Sequence, residues 1–474
     1  MIQDEFEKVF LKKLGLQPTA DQSIAIKKLA KFTLDIDTKE IFLLKGFAGT
    51  GKTTLINGLV QATQYFKIKT RLLAPTGRAA KVMSRITGEP AYTIHKRIYK
   101  QKGSKDAFGT FVMADNLYTN TLFIVDEASM ISNNDGGEQS IFGSGRLLDD
   151  LIKFVFIGER CKLILIGDTA QLPPVKLNVS PALDLQSLKH YLYPVYEMTL
   201  KEVVRQQKTS GILHNATLLR SKIEQKEVDI MVETIAFDDV HAISGGNLLE
   251  ALNQSYDKEG IEQSIVICRS NKRANLFNQG IRKSVLYKEE RITVGDLLMV
   301  VKNSYFWTED EMDIDFIANG DIAEITYILG YKTLYGFDFA DVTIRLIDYD
   351  IEINVKLLLN TLEVESAALD MESQKKLFYS VLEDYAHVKG RKAQYQAVKT
   401  DLYFNAIQVK YAYAITCHKA QGGQWQNVFI DHGYLGEQNT ELEFLRWLYT
   451  AFTRPTKQLF LINFNKKWLD ISEN

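Results

Sequence analysis

The chain has 474 residues, with hydrophobic residues at 46% and charged residues at 24%, so wholesale disorder and a coiled-coil rod are both excluded. Lys plus Arg (57) nearly balances Asp plus Glu (59), for a formal charge of −2, which makes no global case for a nucleic-acid partner. The three cysteines, Cys161, Cys268 and Cys417, lie far apart without a CxxC pair, which argues against a disulfide framework or a zinc ribbon.

From the N-terminus, MIQDEFEKVFLKK mixes acids and bases and lacks the apolar centre of a signal peptide. No run of about 18 apolar residues follows, so a soluble, cytoplasmic protein without membrane contact is expected. Next come the apolar runs IFLLKG (41–46), TRLLAP (70–75), TLFIVDE (121–127) and KLILIGD (162–168). They read as buried strands of a parallel sheet, separated by polar helical stretches that cover both faces. The segment 97–118 carries Arg97, Lys100, Lys102 and Lys105 before Phe108 and Phe111, and reads as a small hairpin. NNDGGEQSIFGSG (133–145) has loop composition. A second set of apolar runs, SIVICRS (264–270), YAYAIT (411–416), NVFIDH (427–432) and QLFLINF (458–464), predicts a second α/β lobe. Between them GDLLMVV, GDIAEITYIL, DVTIRLI and IEINVKLLL predict a small β-barrel inserted over 291–405, followed by a helix near ESQKKLFYSVLEDYAHVK. The acids of 309–315 lack calcium-loop spacing and read as a solvated turn.

The most specific motif is Gly46-Phe-Ala48-Gly49-Thr50-Gly51-Lys52-Thr53-Thr54, between the strand IFLLK and the helix TLINGLVQATQ. It matches the GxxxxGK[ST] phosphate loop in its strand–loop–helix context. Converging N–H groups and the helix N-terminus suit phosphate, Lys52 would reach the β- and γ-phosphates, and the Thr53 hydroxyl would ligate Mg²⁺. Asp126-Glu127 ends the strand TLFIV; Asp126 could hold Mg²⁺ and Glu127 polarise an attacking water, although a bare acid pair also serves as a solvated strand end. ATP and Mg²⁺ are therefore the expected substrate and cofactor.

Further segments then carry a resemblance. LQPTADQ (16–22), LLAPTGRAAK (72–81), AYTIH (91–95), IGDTAQLPPV (166–175), LKEVVRQ (200–206), AITCHKAQG (414–422) and LYTAFTRP (448–455) occur in the order of the helicase motifs Q, Ia, Ib and III to VI. With them the chain resembles the superfamily 1 DNA helicases of the RecD-like and Dda-like (1B) group, which move 5′ to 3′. The resemblance implies an α/β fold of two RecA-like lobes with a hairpin insertion and an SH3-like barrel insertion. Its expected boundaries are lobe 1A at 1–96 and 119–196, hairpin 1B at 97–118, lobe 2A at 197–290 and 406–474, and domain 2B with a helical extension at 291–405. Two departures stand out: Phe452 and Pro455 replace smaller residues, and the loop after Asp126-Glu127 is glycine-rich.

The resemblance assigns adenine reading to Gln22, but Thr19-x-x-Gln22 is equally a helix capping box. It assigns γ-phosphate sensing to Gln171, where an ordinary turn is the alternative, and places Gly422 at the nucleotide. Arg205 and Arg454 become candidates for the arginine that stabilises transition-state charge. Strand contacts fall to Pro75, Thr76, Thr93, His95, Thr416, His418 and Lys419; His95 could instead be a core histidine. Phe108 or Phe111 could wedge a duplex junction or merely pack the hairpin base. The implied activity is an ATP-dependent 5′→3′ DNA helicase acting on single strands and duplex junctions in DNA repair or recombination. It would work as a monomeric motor, with single-strand-binding or recombination proteins as candidate partners. The alternatives are a strand-stimulated ATPase or translocase subunit without autonomous unwinding, and a strand-binding module that uses nucleotide as a switch.

Overall fold

The computed structural model describes residues 2–35, 38–101, 111–133, 143–175, 177–203, 210–308, 316–433 and 441–470. Phe108, Arg205, most of the loop 133–145 and the acids of 309–315 lie outside the described residues. The chain divides into two compact units. One comprises the described residues up to Ile230 together with 441–453, and the other those from Met231 to 433 together with 454–470.

The first unit carries β1 (Ile41–Gly46), β2 (Lys69–Ala74), β3 (Ala91–Thr93), β4 (Tyr99–Gln101), β5 (Phe111–Met113), β6 (Thr121–Val125), β7 (Lys162–Gly167) and β8 (Val195–Leu200). Six of these, among the described residues, form a sheet in the order β3-β2-β6-β7-β1-β8 with every neighbour parallel. Successive side chains of a strand point to opposite faces. Ile41, Leu43, Phe123, Val125, Leu163 and Leu165 enter one core, with Leu148, Leu151 and Phe154 of the helix Leu147–Ile157. Phe42, Leu44, Leu122, Ile124, Ile164 and Ile166 enter the other, with Phe6, Phe10, Ile26 and Leu29 of the N-terminal helices Ile2–Leu14 and Ala20–Leu34. Burial on both faces is why these strands read as unbroken apolar runs. The edge strand β8 alternates instead, in VYEMTL, and gave no such run. β4 and β5 pair as an antiparallel ribbon, Tyr99 opposite Met113 and Gln101 opposite Phe111.

The second unit carries β9 (Val240–Ile243), β10 (Ser264–Cys268), β11 (Leu297–Val300), β12 (Ile322–Leu334), β13 (Phe337–Leu346), β14 (Ile351–Leu358), β15 (Ile407–Tyr411), β16 (Ala414–Thr416), β17 (Trp425–Asp431) and β18 (Pro455–Ile462). Five form a parallel sheet in the order β16-β10-β17-β18-β9, and β11 to β15 close a barrel. The strand that closes the barrel, β15, begins at Ile407, just beyond the expected segment 291–405. Only Ala412 and Tyr413 separate it from β16, so one short stretch of chain passes from barrel to sheet. The helices Gly211–Gln225 and Leu442–Phe452 group with the first unit, whereas the boundaries implied by the resemblance put them in lobe 2A.

A buried ion pair fastens the barrel to that sheet. Asp296, fully buried before β11, accepts from Arg282 Nε at 3.1 Å and Nη2 at 2.9 Å, from the Tyr413 hydroxyl at 2.8 Å and from Thr293 N–H at 2.8 Å. Lys288 lies 3.2 Å away. Arg282 belongs to the helix Asn271–Ser284, which packs on β10 and β16, and its guanidinium sits 4.5 Å over the Tyr411 ring. Burial alone would raise the Asp296 carboxyl, but Arg282, Thr293 N–H and Lys288 outweigh it and hold the group below the usual carboxylate range. Such a carboxylate contributes stability above its unfolded pKa of about 3.9 and loses it as pH falls through the lower folded value. Asp296→Ala, which strands Arg282 in the interior, is expected to cost about 3–5 kcal/mol in urea unfolding at neutral pH. The gap to the wild type should narrow below about pH 4 as the wild type is itself protonated; a gap that persists unchanged there would contradict the ion-pair account.

Candidate functional site: two halves of one sheet rim

Parallel pairing puts every carboxyl end of the first sheet on one rim, where the backbone turns and polar groups can gather. Leu44 pairs with Ile166 and Val125 with Leu165, so the loops after β1, β7 and β6 leave the sheet side by side. Those loops carry Gly46–Thr54, Asp168–Gln171 and Asp126-Glu127. The loops after β2 and β3, where Ala74 pairs with Thr93, carry Pro75-Thr76 and Thr93–His95. Nucleotide-motif residues thus take one half of the rim and strand-motif residues the other.

On the nucleotide half, Gly46 ends β1, and a Cβ there would lie 2.8 Å from Thr50 Oγ1 and 2.9 Å from Lys52 Cγ. Gly51 stands at φ 78°, ψ 25°, a left-handed conformation that lets the helix Lys52–Tyr65 start directly behind the loop. Buried Thr50 donates its hydroxyl to Phe47 O at 2.8 Å, which tightens the turn. The Lys52 ammonium donates to Gly46 O at 2.6 Å and Phe47 O at 2.9 Å, so its charge is held over the loop by carbonyls. Thr53 and Thr54, the next residues, are half-buried in the first turn. Gln22 forms the capping box and one bond more: its Oε1 accepts from Thr19 N–H at 3.1 Å in a complete capping box, and its Nε2 donates to Thr50 O at 3.1 Å. The amide therefore ties the helix Ala20–Leu34 to the phosphate loop.

Asp126 Oδ1 accepts Glu127 N–H at 2.8 Å, and Glu127 takes a left-handed backbone, φ 51°, that is uncommon for a residue with a side chain. Burial pushes the Asp126 carboxyl above its ordinary value, opposed by the Glu127 N–H and the nearby Lys52 charge. Asp168 Oδ1 accepts Ala170 N–H at 2.9 Å, shaping the turn that leads to Gln171. The Gln171 side chain is buried, and its Oε1 has no hydrogen-bond partner among the described residues.

These residues fit a magnesium–nucleoside triphosphate. The Gly46 cradle excludes any side chain, Lys52 is the cation beside it, and buried Gln171 holds an unspent acceptor. Mg²⁺ keeps several waters and draws on one or two protein oxygens, which Thr53 and Asp126 would supply. No cluster of three or more His, Cys, Asp or Glu suited to a metal occurs among the described residues.

On the strand half, Thr76 caps the helix Gly77–Thr87 through Ala79 N–H at 3.2 Å, and Thr93 caps Ile94–Ile98 through Lys96 N–H at 3.2 Å. Pro75, Thr76, His95 and Tyr99 line a cavity of about 300 Å³ with Met130 and Leu147. Burial lowers the His95 imidazole to about 4, so at neutral pH it meets the cavity uncharged, by hydrogen bonding or stacking. Phe111 is packed against the hydrophobic core of its own unit. Lys96 and Arg97 lie 4.6 Å and 4.2 Å over the Tyr92 ring, a cation–aromatic group that the sequence did not single out.

In the second unit, Thr416 ends β16, and Lys419 of the short helix Cys417–Ala420 donates to Asn319 Oδ1. Burial lowers that ammonium to about 8, which leaves it mostly charged at neutral pH. His418 lies in the same turn. Arg454 is buried at the amino end of β18, and its Nη1 donates to Gly423 O at 3.2 Å, next to Gly422. The structure thus gathers Gly422 and Arg454 at one end of the second sheet and Thr416 at the other.

Sequence reasoning missed Tyr449, whose hydroxyl bonds both Ala48 N–H and Asp168. The signal was present: a tyrosine on the buried, apolar helix LEFLRWLYTAF needs a partner for its hydroxyl.

A family model described as an AAA domain matches residues 17–242, and one described as a UvrD-like helicase C-terminal domain matches residues 411–462. Uncharacterized protein R530 of Acanthamoeba polyphaga mimivirus is 25% identical over 510 residues, covering 92% of this chain and 98% of that protein. The ATP-dependent RecD2 DNA helicase of Deinococcus radiodurans is 24% identical over 436 residues, covering 90% of this chain but 47% of its own length. The chain therefore spans about half of RecD2. A solved structure of Pif1 helicases at forked double-stranded DNA shares the fold, with a TM-score of 0.50 at 15% identity, covering 97% of this chain and 95% of that one. The two models and these relatives make the chain similar to the superfamily 1B helicases of the RecD-like and Dda-like group.

Proposed function

We propose that this chain is an ATP-dependent DNA helicase that moves 5′ to 3′ along single-stranded DNA and unwinds duplex. The observation that carries the reading is the shared rim. The phosphate loop, Asp126-Glu127 and Asp168–Gln171 follow three adjacent strands, and Thr76 and His95 follow the next two in the same sheet. Nucleotide chemistry on one half can then be felt as loop movement on the other. The domain reading remains that of two RecA-like lobes, a hairpin insertion over 97–118 and an SH3-like barrel with a helical extension.

In this reading Lys52 and the loop N–H groups bind the β- and γ-phosphates, and Thr53 and Asp126 hold Mg²⁺. The ion, when bound, neutralises charge on the phosphates. Glu127 takes the proton of the attacking water, Gln171 orients that water or the γ-phosphate, and Arg205 and Arg454 are the candidates for stabilising the transferring group. Gln22, through Thr50, couples adenine-side contacts to the loop. Thr76, Thr93, His95, Thr416, His418 and Lys419 grip the strand through hydroxyls, a neutral imidazole and a single ammonium. Such contacts follow a phosphate backbone without reading its sequence. Among the described residues no helix is long and apolar enough to cross a membrane.

A second reading, a strand-stimulated ATPase or translocase subunit of a recombination complex, is favoured by one observation. Phe111 is spent on its own core, which weakens its candidacy as a duplex wedge.

Glu127→Gln should lower strand-stimulated ATP hydrolysis by roughly 10²–10⁴-fold while nucleotide binding persists, measured by steady-state ATPase and nucleotide titration. Full activity in that variant would remove Glu127 as the base. On duplexes bearing one single-stranded tail, the 5′-tailed substrate should be unwound; preference for the 3′ tail would reverse the polarity. Replacing 102–110 by a two-residue turn joins Gln101 to Phe111, a facing pair of the ribbon, and keeps the ribbon itself. Unwinding should then fall while strand-stimulated ATPase continues; unwinding at the wild-type rate would mean that the hairpin tip is no wedge.

A further inference from the structure

The first arm of the phosphate loop is covered by two helices of its own unit, the second of which carries most of the segment LYTAFTRP (448–455). From the helix Gly211–Gln225, the Arg220 guanidinium lies 4.5 Å over the Phe47 ring. From the helix Leu442–Phe452, the buried Tyr449 hydroxyl stands 2.9 Å from Ala48 N and 2.7 Å from Asp168 Oδ2. Thr450, the next residue, accepts Leu172 N–H at 2.9 Å and donates to Arg446 O at 2.7 Å. One turn of helix thus touches the loop after β1 and the loop after β7.

The direction of these bonds is determined by chemistry. A backbone N–H can only donate and a carboxylate can only accept, so the single Tyr449 proton must go to Asp168 while the oxygen accepts from Ala48. Burial first, then the Asp168 charge, push the phenol well above its ordinary value, so that proton stays in place. Asp168 spends its other oxygen on Ala170 N–H at 2.9 Å, one residue before Gln171, whose Oε1 has no partner among the described residues. A continuous run of hydrogen bonds therefore joins Ala48, Tyr449, Asp168 and Ala170.

We propose that Tyr449 is a positioning residue for ATP turnover, its hydroxyl holding the phosphate loop and the Gln171 loop in one register with the helix Leu442–Phe452. The inference rests on the ATPase reading above and adds to it a residue that touches neither phosphate nor metal. Loss of the hydroxyl leaves Ala48 N–H and Asp168 Oδ2 without their partner while the ring still fills its space. Lys52 and Gly51, which bind phosphate, are untouched. The defect should therefore fall on kcat and spare KM.

The test is Tyr449→Phe in the full chain, with strand-stimulated ATPase, KM for ATP and thermal unfolding measured together. The expected result is a kcat lower by about tenfold or more, with KM and the thermal midpoint close to wild type. Combined with Gln171→Ala, the second substitution should add less than its own single effect, because both act through one loop. A kcat within about twofold of wild type overturns the proposal. So does a parallel loss of kcat, affinity and thermal midpoint, which marks a purely structural tyrosine. If Tyr449→Phe does not fold, Asp168→Asn serves instead: an amide offers one acceptor oxygen where Ala170 and Tyr449 need two, and the same kcat-selective loss is expected. A wild-type chain without ATPase even in the presence of single-stranded DNA would instead bring down the functional reading itself.

Discussion

Burial of a parallel sheet on both faces is the constraint from which the rest follows. In β1, Ile41 and Leu43 belong to one core and Phe42 and Leu44 to the other, so the first four positions of the strand are closed to polar chemistry. Polar function is driven to the strand ends, and parallel pairing collects all the carboxyl ends on one rim. Three adjacent strands then present a phosphate loop, an acid pair and a glutamine without any long-range device beyond the sheet register. The two strands beyond them present the hydroxyls and imidazole assigned to the strand.

Several basic side chains are spent in ion pairs rather than left on a binding face: Lys162 on Glu40 and Arg282 on Asp296 in the interior, and the partly exposed Arg273 on Asp431. On the strand half of the rim, burial lowers Lys96 to about 8 and His95 to about 4, and in the second unit it lowers Lys419 to about 8. Under the helicase reading proposed above, such groups would hold a strand through few charges and many short-range contacts, and would let it go at each step.

The motifs most legible in the sequence are those whose geometry is local. Gly46 to Lys52 needs only a strand before it, a helix behind it and a left-handed Gly51, all within about a dozen residues. The capping box of Thr19 and Gln22 is equally local, and it formed as written. The barrel strands were visible through their alternation and glycine turns, but β15 was not, because IQVKY pairs with strands nearly fifty residues or more away in sequence. For the same reason Phe111 could not be assigned: an aromatic residue beside a turn packs inward or stands out according to what the rest of the chain brings beneath it.

The sequence by itself determined the buried central strands of the two parallel sheets, the phosphate loop, the acid pair and the order of the helicase segments, because each is written in periodicity or spacing over a short window. Only the tertiary structure decided which helices cover the phosphate loop, that Gln22 reaches Thr50, that Asp296 clamps the barrel to its sheet and that Tyr449 joins two loops. An amphipathic helix such as Leu442–Phe452 records that it has a buried face; the partner of that face is settled only when distant segments compete for the same apolar surface. A buried hydroxyl is subject to the same logic, since its need for a partner is written in the residue and the partner's identity is not.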